Sequence, residues 1–257
     1  MQKIILITGA SGGLGRELAI RLCSEGNIVY AATRSPEKLQ LYCDKYNIRG
    51  LNAVYMDVCN IKSVNECVTK IIEREKGLDV LINNASYSIL GAVEEIPINE
   101  LKKIFDVNLY GYIRSIQSVL PHMRQAKRGI IINISSVSGV RASGYLSAYA
   151  MTKFSVEALS ESLVAELQGS GIDVYIIEPG MMKTDMILNY KYVSKLKNSP
   201  YPHQVMEKIN GTIQNLDKAQ ELKEVAVLIN TLIKERPESV RHQTNAWSTM
   251  MVQQKLK

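Results

Sequence analysis

Aromatic side chains are scarce in this 257-residue chain, at 6% with two Phe and one Trp, so a core has to be built from Ile, Val and Leu. Cysteine is scarce as well. Cys23, Cys43, Cys59 and Cys67 form no C-x-x-C pair, and with three scattered His they give no metal-ligand spacing. No metal centre is expected, and the thiols read as reduced, which points to the cytoplasm. No uninterrupted apolar stretch reaches the roughly 18 residues of a membrane span, and the run Ile4 to Ile7 is too short for a signal peptide core. Internal repeats and low-complexity linkers are missing too. The charge of +6, from 31 basic and 25 acidic residues, is spread over the whole length, which suits an anionic ligand without forming a nucleic-acid patch. With 46% apolar residues, one domain over 1–257 is expected.

What is present is an alternation of short apolar runs with longer amphipathic segments. Strands are predicted near 3–8, 27–33, 51–56, 79–83, 129–135 and 172–178, with helical patterns between them. Continuous runs such as Gly129-Ile-Ile-Ile-Asn-Ile134 and Val174-Tyr-Ile-Ile177 belong to strands covered on both faces. The expectation is an α/β fold: a Rossmann-type doubly wound parallel sheet with helices on both faces. Ligands of such sheets bind beyond the carboxyl ends of the strands, so those ends are where chemistry is sought.

The first strand ends in Thr8-Gly9-Ala10-Ser11-Gly12-Gly13-Leu14-Gly15, ahead of a helical segment. Gly9, Gly13 and Gly15 let the backbone turn tightly and approach a pyrophosphate, with the amides around Ser11 and Leu14 in the same cradle. The spacing T-G-x-x-x-G-x-G is neither a Walker A loop nor G-x-G-x-x-G. After the second strand an NAD-binding unit would carry an acid about 20 positions beyond the glycines, yet none precedes Glu37. Thr33 leaves room and Arg34 offers a fork of donors for a 2′-phosphate, so NADP(H) is favoured over NAD(H). Asp57-Val58 follows the third strand, where Asp57 accepts from an adenine amino group or helps to start the next helix. Asn84-Ala85 follows the fourth, where a short amide satisfies a tight turn.

The segment Tyr149-Ala-Met-Thr-Lys153 puts a phenol and an ammonium on one helix face. A neighbouring cation favours the phenolate and lowers the tyrosine pKa from about 10 towards working pH, as general acid–base catalysis requires. Ser136 ends a strand 13 residues before Tyr149, where its hydroxyl orients a substrate oxygen or caps the following loop. A serine nucleophile is unattractive, because no G-x-S-x-G surrounds a serine and His122, His203 and His242 follow no strand end.

Together these residues resemble the short-chain dehydrogenase/reductase family over nearly the whole chain. The resemblance implies that Gly9, Gly13 and Gly15 cradle a nicotinamide coenzyme, that Asp57 meets its adenine, and that Asn84 stabilises the sheet. It also implies a catalytic tetrad of Asn108 (in Asn108-Leu-Tyr-Gly111), Ser136, Tyr149 and Lys153. Lys153 would also bond the nicotinamide ribose, and Asn108 would hold a relay water. Pro179-Gly180-Met-Met-Lys-Thr184 is similar to the family's P-G-x-x-x-T element, in which Pro179, Gly180 and Thr184 flank the nicotinamide carboxamide. Ser86 departs from the usual glycine after Asn-Asn-Ala. The polar ending, a tail over 240–257, looks like the hydroxysteroid and retinol dehydrogenase-like branch. The activity implied is interconversion of an alcohol with a ketone or aldehyde, in a homodimer or homotetramer.

Residues 181–210 are expected to form a substrate lid, with Met181, Met182, Met186, Ile187 and Leu188 as soft contacts and Tyr190, Tyr192 and Tyr201 as rings with polar tips. A helix packed on the core is the other reading of that segment. Lys183, Lys191, Lys195 and Lys197 serve an acidic substrate or a solvated face. Two rival functions share the fold: a dinucleotide-sensing scaffold without chemistry, and a nucleotide-sugar epimerase, for whose extra domain 257 residues leave no room.

Overall fold

A computed structural model of the protein describes residues 2–184, 191–192, 199–215 and 219–255. Its main sheet holds β1 (Ile4–Thr8), β2 (Ile28–Thr33), β3 (Leu51–Tyr55), β4 (Val80–Asn83), β6 (Gly129–Ile134), β7 (Ile172–Glu178) and β9 (Arg241–Gln243). The strands run parallel in the order β3-β2-β1-β4-β6-β7-β9. Strand order reverses at β1, so a crevice opens beyond the carboxyl ends of β1 and β4.

Both faces of the sheet are covered, as the continuous apolar strands require. Ile5 and Ile7 point to one side, where α1 (Gly13–Ser24) contributes Leu14, Leu18 and Leu22, and α8 (Leu222–Glu235) contributes Val225, Ile229 and Ile233. Leu6, Leu81 and Ile131 point to the other. There they meet α3 (Ile61–Glu75), α5 (Gly111–Ala126) and α6 (Ser147–Glu166) through side chains such as Val68, Ile116 and Leu163. Every β6 residue is buried.

Local chemistry sets the ends of the elements. Asn60 caps α3, its side chain accepting from the amides of Lys62 and Ser63, and the helix stops where Lys76 turns left-handed at φ 61° ahead of Gly77. The remaining helices are α2 (Pro36–Lys45), α4 (Ile98–Phe105), α7 (Pro202–Gln214) and α9 (Ala246–Lys255). A two-stranded pairing joins β5 (Ile89–Leu90) to β8 (Lys191–Tyr192).

The chain departs from the sequence expectation at its carboxyl end. Residues 240–255 are not a polar tail: they form β9, the seventh strand, followed by helix α9, in which Ser248 and Val252 are buried. Strand β9 lacks an apolar signature because Arg241 and Gln243 spend their side chains on the carboxylate of Glu178. Helix α9 begins with reciprocal caps, since Asn245 Oδ1 accepts from the Ser248 amide at 2.8 Å while Ser248 Oγ accepts from the Asn245 amide at 3.0 Å. No described helix is long and apolar enough to cross a membrane.

Candidate active site

The glycine-rich turn is held to the end of β4. Thr8 Oγ1 accepts from the amides of Asn84 and Ala85, both at 3.0 Å, and Asn84 Nδ2 donates to the carbonyls of Thr8 at 3.0 Å and Gly9 at 3.2 Å. A Cβ on Gly15 would lie 2.5 Å from Asn84 Nδ2 and from the Gly9 carbonyl, and one on Gly9 would lie 2.6 Å from Ala85 Cα. These two glycines therefore allow close packing. Gly13 differs: at φ +53° a Cβ there would meet, among the described residues, the Thr184 side chain at 3.6 Å. Helix α1 starts there with neither a side-chain cap nor an acid in its first turn among the described residues, which suits its first amides to an anion. Ser11 is exposed on this turn. The Leu14 side chain belongs to the core, so only its backbone is left to serve the turn.

Arg34 is exposed just beyond β2, while Thr33 is buried with its Oγ1 accepting from the Ser35 amide at 3.1 Å. Asp57 does not start α3. Its Oδ1 closes a turn with the Cys59 amide at 3.0 Å, and Asn60 is the cap. The Val58 carbonyl accepts from Arg114 Nη1 at 3.0 Å, and the Val58 side chain packs over Gly111.

Helix α6 carries Tyr149 and Lys153 on one face. Lys153 is fully buried, with Nζ donating to the Ile134 carbonyl at 2.7 Å and, at a longer 3.4 Å, to the Tyr112 hydroxyl. It lies 5.7 Å from the Tyr149 ring centroid. Burial pushes its pKa down to about 7, against the opposing pull of Glu157. Tyr149 packs beside Ile89, Ile104 and Ala148.

Asn108 is buried in a single π-helical turn, Asp106–Tyr110, an irregularity common at functional sites. Its Oδ1 accepts from the Tyr87 amide at 3.0 Å, and its Nδ2 donates to the Tyr87 carbonyl at 2.9 Å and to Thr152 Oγ1 at 3.1 Å. Thr152 Oγ1 in turn donates to the Tyr149 carbonyl at 2.7 Å. Asn108 is thus wired to the Tyr149 backbone through Thr152, a residue that sequence reasoning passed over although it sits inside the Tyr-to-Lys spacing. Tyr112, four positions beyond Asn108 on the same helical face, was missed as well.

Ser136 is buried at the end of β6, its Oγ accepting from the Ser138 amide at 3.1 Å. The next amide, that of Val137, donates to the Pro179 carbonyl at 3.0 Å, which ties the Ser136 turn to Pro179-Gly180. Of the expected lid, Met186, Ile187, Leu188, Tyr190, Lys195 and Lys197 lie outside the described residues, and Lys191 and Tyr192 enter as strand β8 alone. Tyr201 is described, 6.3 Å from the Tyr145 ring. Beyond it α7 buries Val205 and Ile209 against Leu90, with Tyr145 and Leu146 alongside, at the amino end of α6.

Residues 3–192 match the family model described as short chain dehydrogenase. The chain is 40% identical over 182 residues to a protein of Bacteroides thetaiotaomicron named 3-ketodihydrosphingosine reductase, a match covering 71% of this chain and 65% of that protein's length. It is 33% identical over 221 residues to a probable short-chain type dehydrogenase/reductase, VdlC, of Helicobacter pylori, covering 86% of this chain and 80% of that one. Among solved structures, a short-chain dehydrogenase from Streptomyces avermitilis superposes with a TM-score of 0.86 at 28% identity, over 99% of this chain and 92% of the other.

Proposed function

Because the chain belongs to the short-chain dehydrogenase family and is an oxidoreductase acting on C–OH and C=O groups with a nicotinamide coenzyme, we propose that it is an NADP(H)-dependent enzyme interconverting an apolar alcohol with its ketone or aldehyde. The residues present fit such a coenzyme. Gly13 leaves a cradle that a Cβ would fill, and Lys153 Nζ, with three donors, has two protein acceptors. Gly9, Ser11, Gly13, Leu14 and Gly15 would hold the pyrophosphate; Asp57, Val58, Asn84 and Ala85 the adenosine side; Pro179, Gly180 and Thr184 the nicotinamide side. Arg34, exposed and with no acid on strand β2 or between it and Glu37, supports selection of a 2′-phosphate. When bound, the coenzyme supplies or takes the hydride.

The chain's own residues handle the proton. Tyr149 gives it to, or takes it from, the substrate oxygen. Lys153 eases the charge of the phenolate, Ser136 orients the oxygen, and Asn108 fixes the helix backbone at Tyr149 through Thr152. The observation that carries this reading is the buried Lys153 amine 5.7 Å from the Tyr149 ring, because a cation taken out of water acts strongly on a neighbouring phenol.

The partly buried Tyr145, Leu146 and Tyr201 support a substrate with a long apolar skeleton. Both a ketosphingoid base, as in the name of the Bacteroides relative, and the steroids and retinoids of the branch the sequence resembles have that character. Residues 181–210 belong to the lid in this reading, and a homodimer or homotetramer in the cytoplasm is its setting. Loss of absorbance at about 340 nm, followed with NADPH and with NADH against long-chain ketones, steroids and retinoids, tests coenzyme and substrate class together. Turnover with NADPH is expected. Tight coenzyme binding with no turnover on any of them would leave the non-catalytic scaffold in its place.

A further inference from the structure

One buried amide joins the last helix of the chain to the stretch assigned above to the nicotinamide. Gln220 is buried and lies beside Met182 as an isolated parallel bridge. Its amide donates to the Met181 carbonyl at 2.9 Å, and its carbonyl accepts from the Lys183 amide at 3.2 Å. The side chain faces the other way along the same path. Nε2 donates to the Thr244 carbonyl at 2.7 Å, and Oε1 accepts from Thr244 Oγ1 at 2.5 Å and from Asn245 Nδ2 at 3.4 Å. A single residue therefore ties residues 181–183 to the Thr244-Asn245 turn that starts α9.

Helix α9 is fastened at two more places. A Cβ on Gly180 would lie 2.8 Å from the edge of the Trp247 indole, so the chain's one tryptophan rests against the Pro179-Gly180 turn. Arg141, in the loop after Ser136, donates to Gln254 Oε1 at 3.1 Å. The last helix thus touches both strand ends that flank the site.

We propose that Gln220 is a positioning residue, which pins α9 and Trp247 to the 181–184 stretch and so sets how the nicotinamide half of the coenzyme is held. The proposal rests on the coenzyme reading above. A loop whose backbone is fastened to a packed helix needs less ordering when its ligand arrives, and that saving is lost once the link is cut. The adenosine half, bound at the far side of the sheet reversal, gains nothing from the link. Met in place of Gln220 keeps length and burial while removing every side-chain hydrogen bond.

The test compares two probes on the full chain by calorimetry: NADP⁺, and 2′,5′-ADP, which lacks the nicotinamide. In Gln220→Met, NADP⁺ is expected to bind about tenfold more weakly, with 2′,5′-ADP held within about twofold. Unchanged NADP⁺ binding overturns the proposal, and so does equal weakening of both probes, which marks a general loss of structure. Should Gln220→Met not fold, Thr244→Val removes one of the same bonds from the other side, and the same split between the probes is required of it. If the parent prefers NAD⁺, that coenzyme and ADP-ribose replace the pair. A parent that binds no dinucleotide at all instead fails the coenzyme reading, and the present proposal falls with it. The single tryptophan gives a second readout, because NADPH bound beside Trp247 is expected to lower the chain's indole emission. Emission unchanged at saturating NADPH contradicts the placement.

Discussion

The ammonium of Lys153 and the hydroxyl of Tyr112 converge on one acceptor, the Ile134 carbonyl oxygen, at 2.7 Å and 3.0 Å. No carboxylate among the described residues bonds this amine, which is held by neutral groups, and burial lowers its pKa to about 7. The sign for stability follows. Between about pH 7 and the ordinary value of 10.5 the folded chain binds fewer protons than the unfolded one, so unfolding becomes harder as pH rises through that window. Lys153→Met removes this burden and leaves Tyr112 still bonded to Ile134. It is expected to abolish turnover yet raise the melting temperature of the coenzyme-free protein by about 2–4 °C near pH 6, with the gap closing towards pH 10. Calorimetric melting over that range checks it; a lower melting temperature at every pH would contradict the account of Lys153.

Tyr149→Phe keeps a ring in the cluster with Ile89, Ile104 and Ala148, so folding and coenzyme affinity should survive. The proton donor does not. Turnover should drop by on the order of 10²–10⁴-fold, the size of positioned acid–base catalysis. Steady-state kinetics with the best ketone of the panel measures it, and parental turnover in the variant would remove Tyr149 from the mechanism.

The parallel sheet was legible because its strands are written as apolar runs, and Tyr149 and Lys153 because a four-residue spacing has one meaning on a helix. The legible parts share that local character. Strand β9 was missed because Arg241 and Gln243 are polar inside a sheet whose other strands are mainly aliphatic, and their reason, Glu178, lies more than sixty residues away. Helix α9 looked like a polar tail, since its packing partners, Gln220 for the Thr244-Asn245 turn and Gly180 for Trp247, lie far away in sequence. Thr152 acts through a contact between α6 and the Asp106–Tyr110 turn, and Tyr112 through one between α5 and β6, which no single-segment pattern encodes.

The glycines of the first turn separate into two physical kinds. A methyl on Gly15 would drive into Asn84 Nδ2 and the Gly9 carbonyl at 2.5 Å, so Gly15→Ala should destabilise the fold by about 1–3 kcal/mol or more and loosen the β1–β4 junction. Gly13→Ala makes an ordinary contact with Thr184 at 3.6 Å and bears the strain of φ +53°, roughly 1 kcal/mol. Its effect should fall on coenzyme binding instead. Urea melts paired with NADP⁺ titrations distinguish the two, and a reversed ranking in stability would refute the assignment.

Arg34 stands exposed where a dinucleotide's ribose would end, with Thr33 beside it buried and bonded to the Ser35 amide. Arg34→Ala should weaken NADPH by about tenfold, the loss of one charge-assisted contact to a phosphate, and leave NADH almost unchanged. Fluorescence titration of both coenzymes decides it. Equal losses for the two would mean that Arg34 does not read the 2′-phosphate.

Arg241 on β9 serves three carboxylates: Glu178 at 2.6 Å, and Glu157 and Glu161 on α6. Glu178 is fully buried and Glu157 nearly so, whereas Glu161 is exposed and adds little. Burial already holds the Glu157 carboxyl above its usual range, with Glu178 pushing the same way and Arg241 opposing. Arg241→Met would leave the two buried carboxylates facing each other without a cation, at a cost of about 3–5 kcal/mol. The folded-state pKa of Glu157, already raised, would climb further without the opposing guanidinium, so the cost is greatest at neutral pH and eases as pH falls through that raised value. Urea melts of parent and variant, run from neutral pH down to about pH 5, should show the gap narrowing on acidification. A gap that widens instead would mean that Arg241 holds β9 against β7 and α6 through packing of its stem and not by neutralising Glu178 and Glu157.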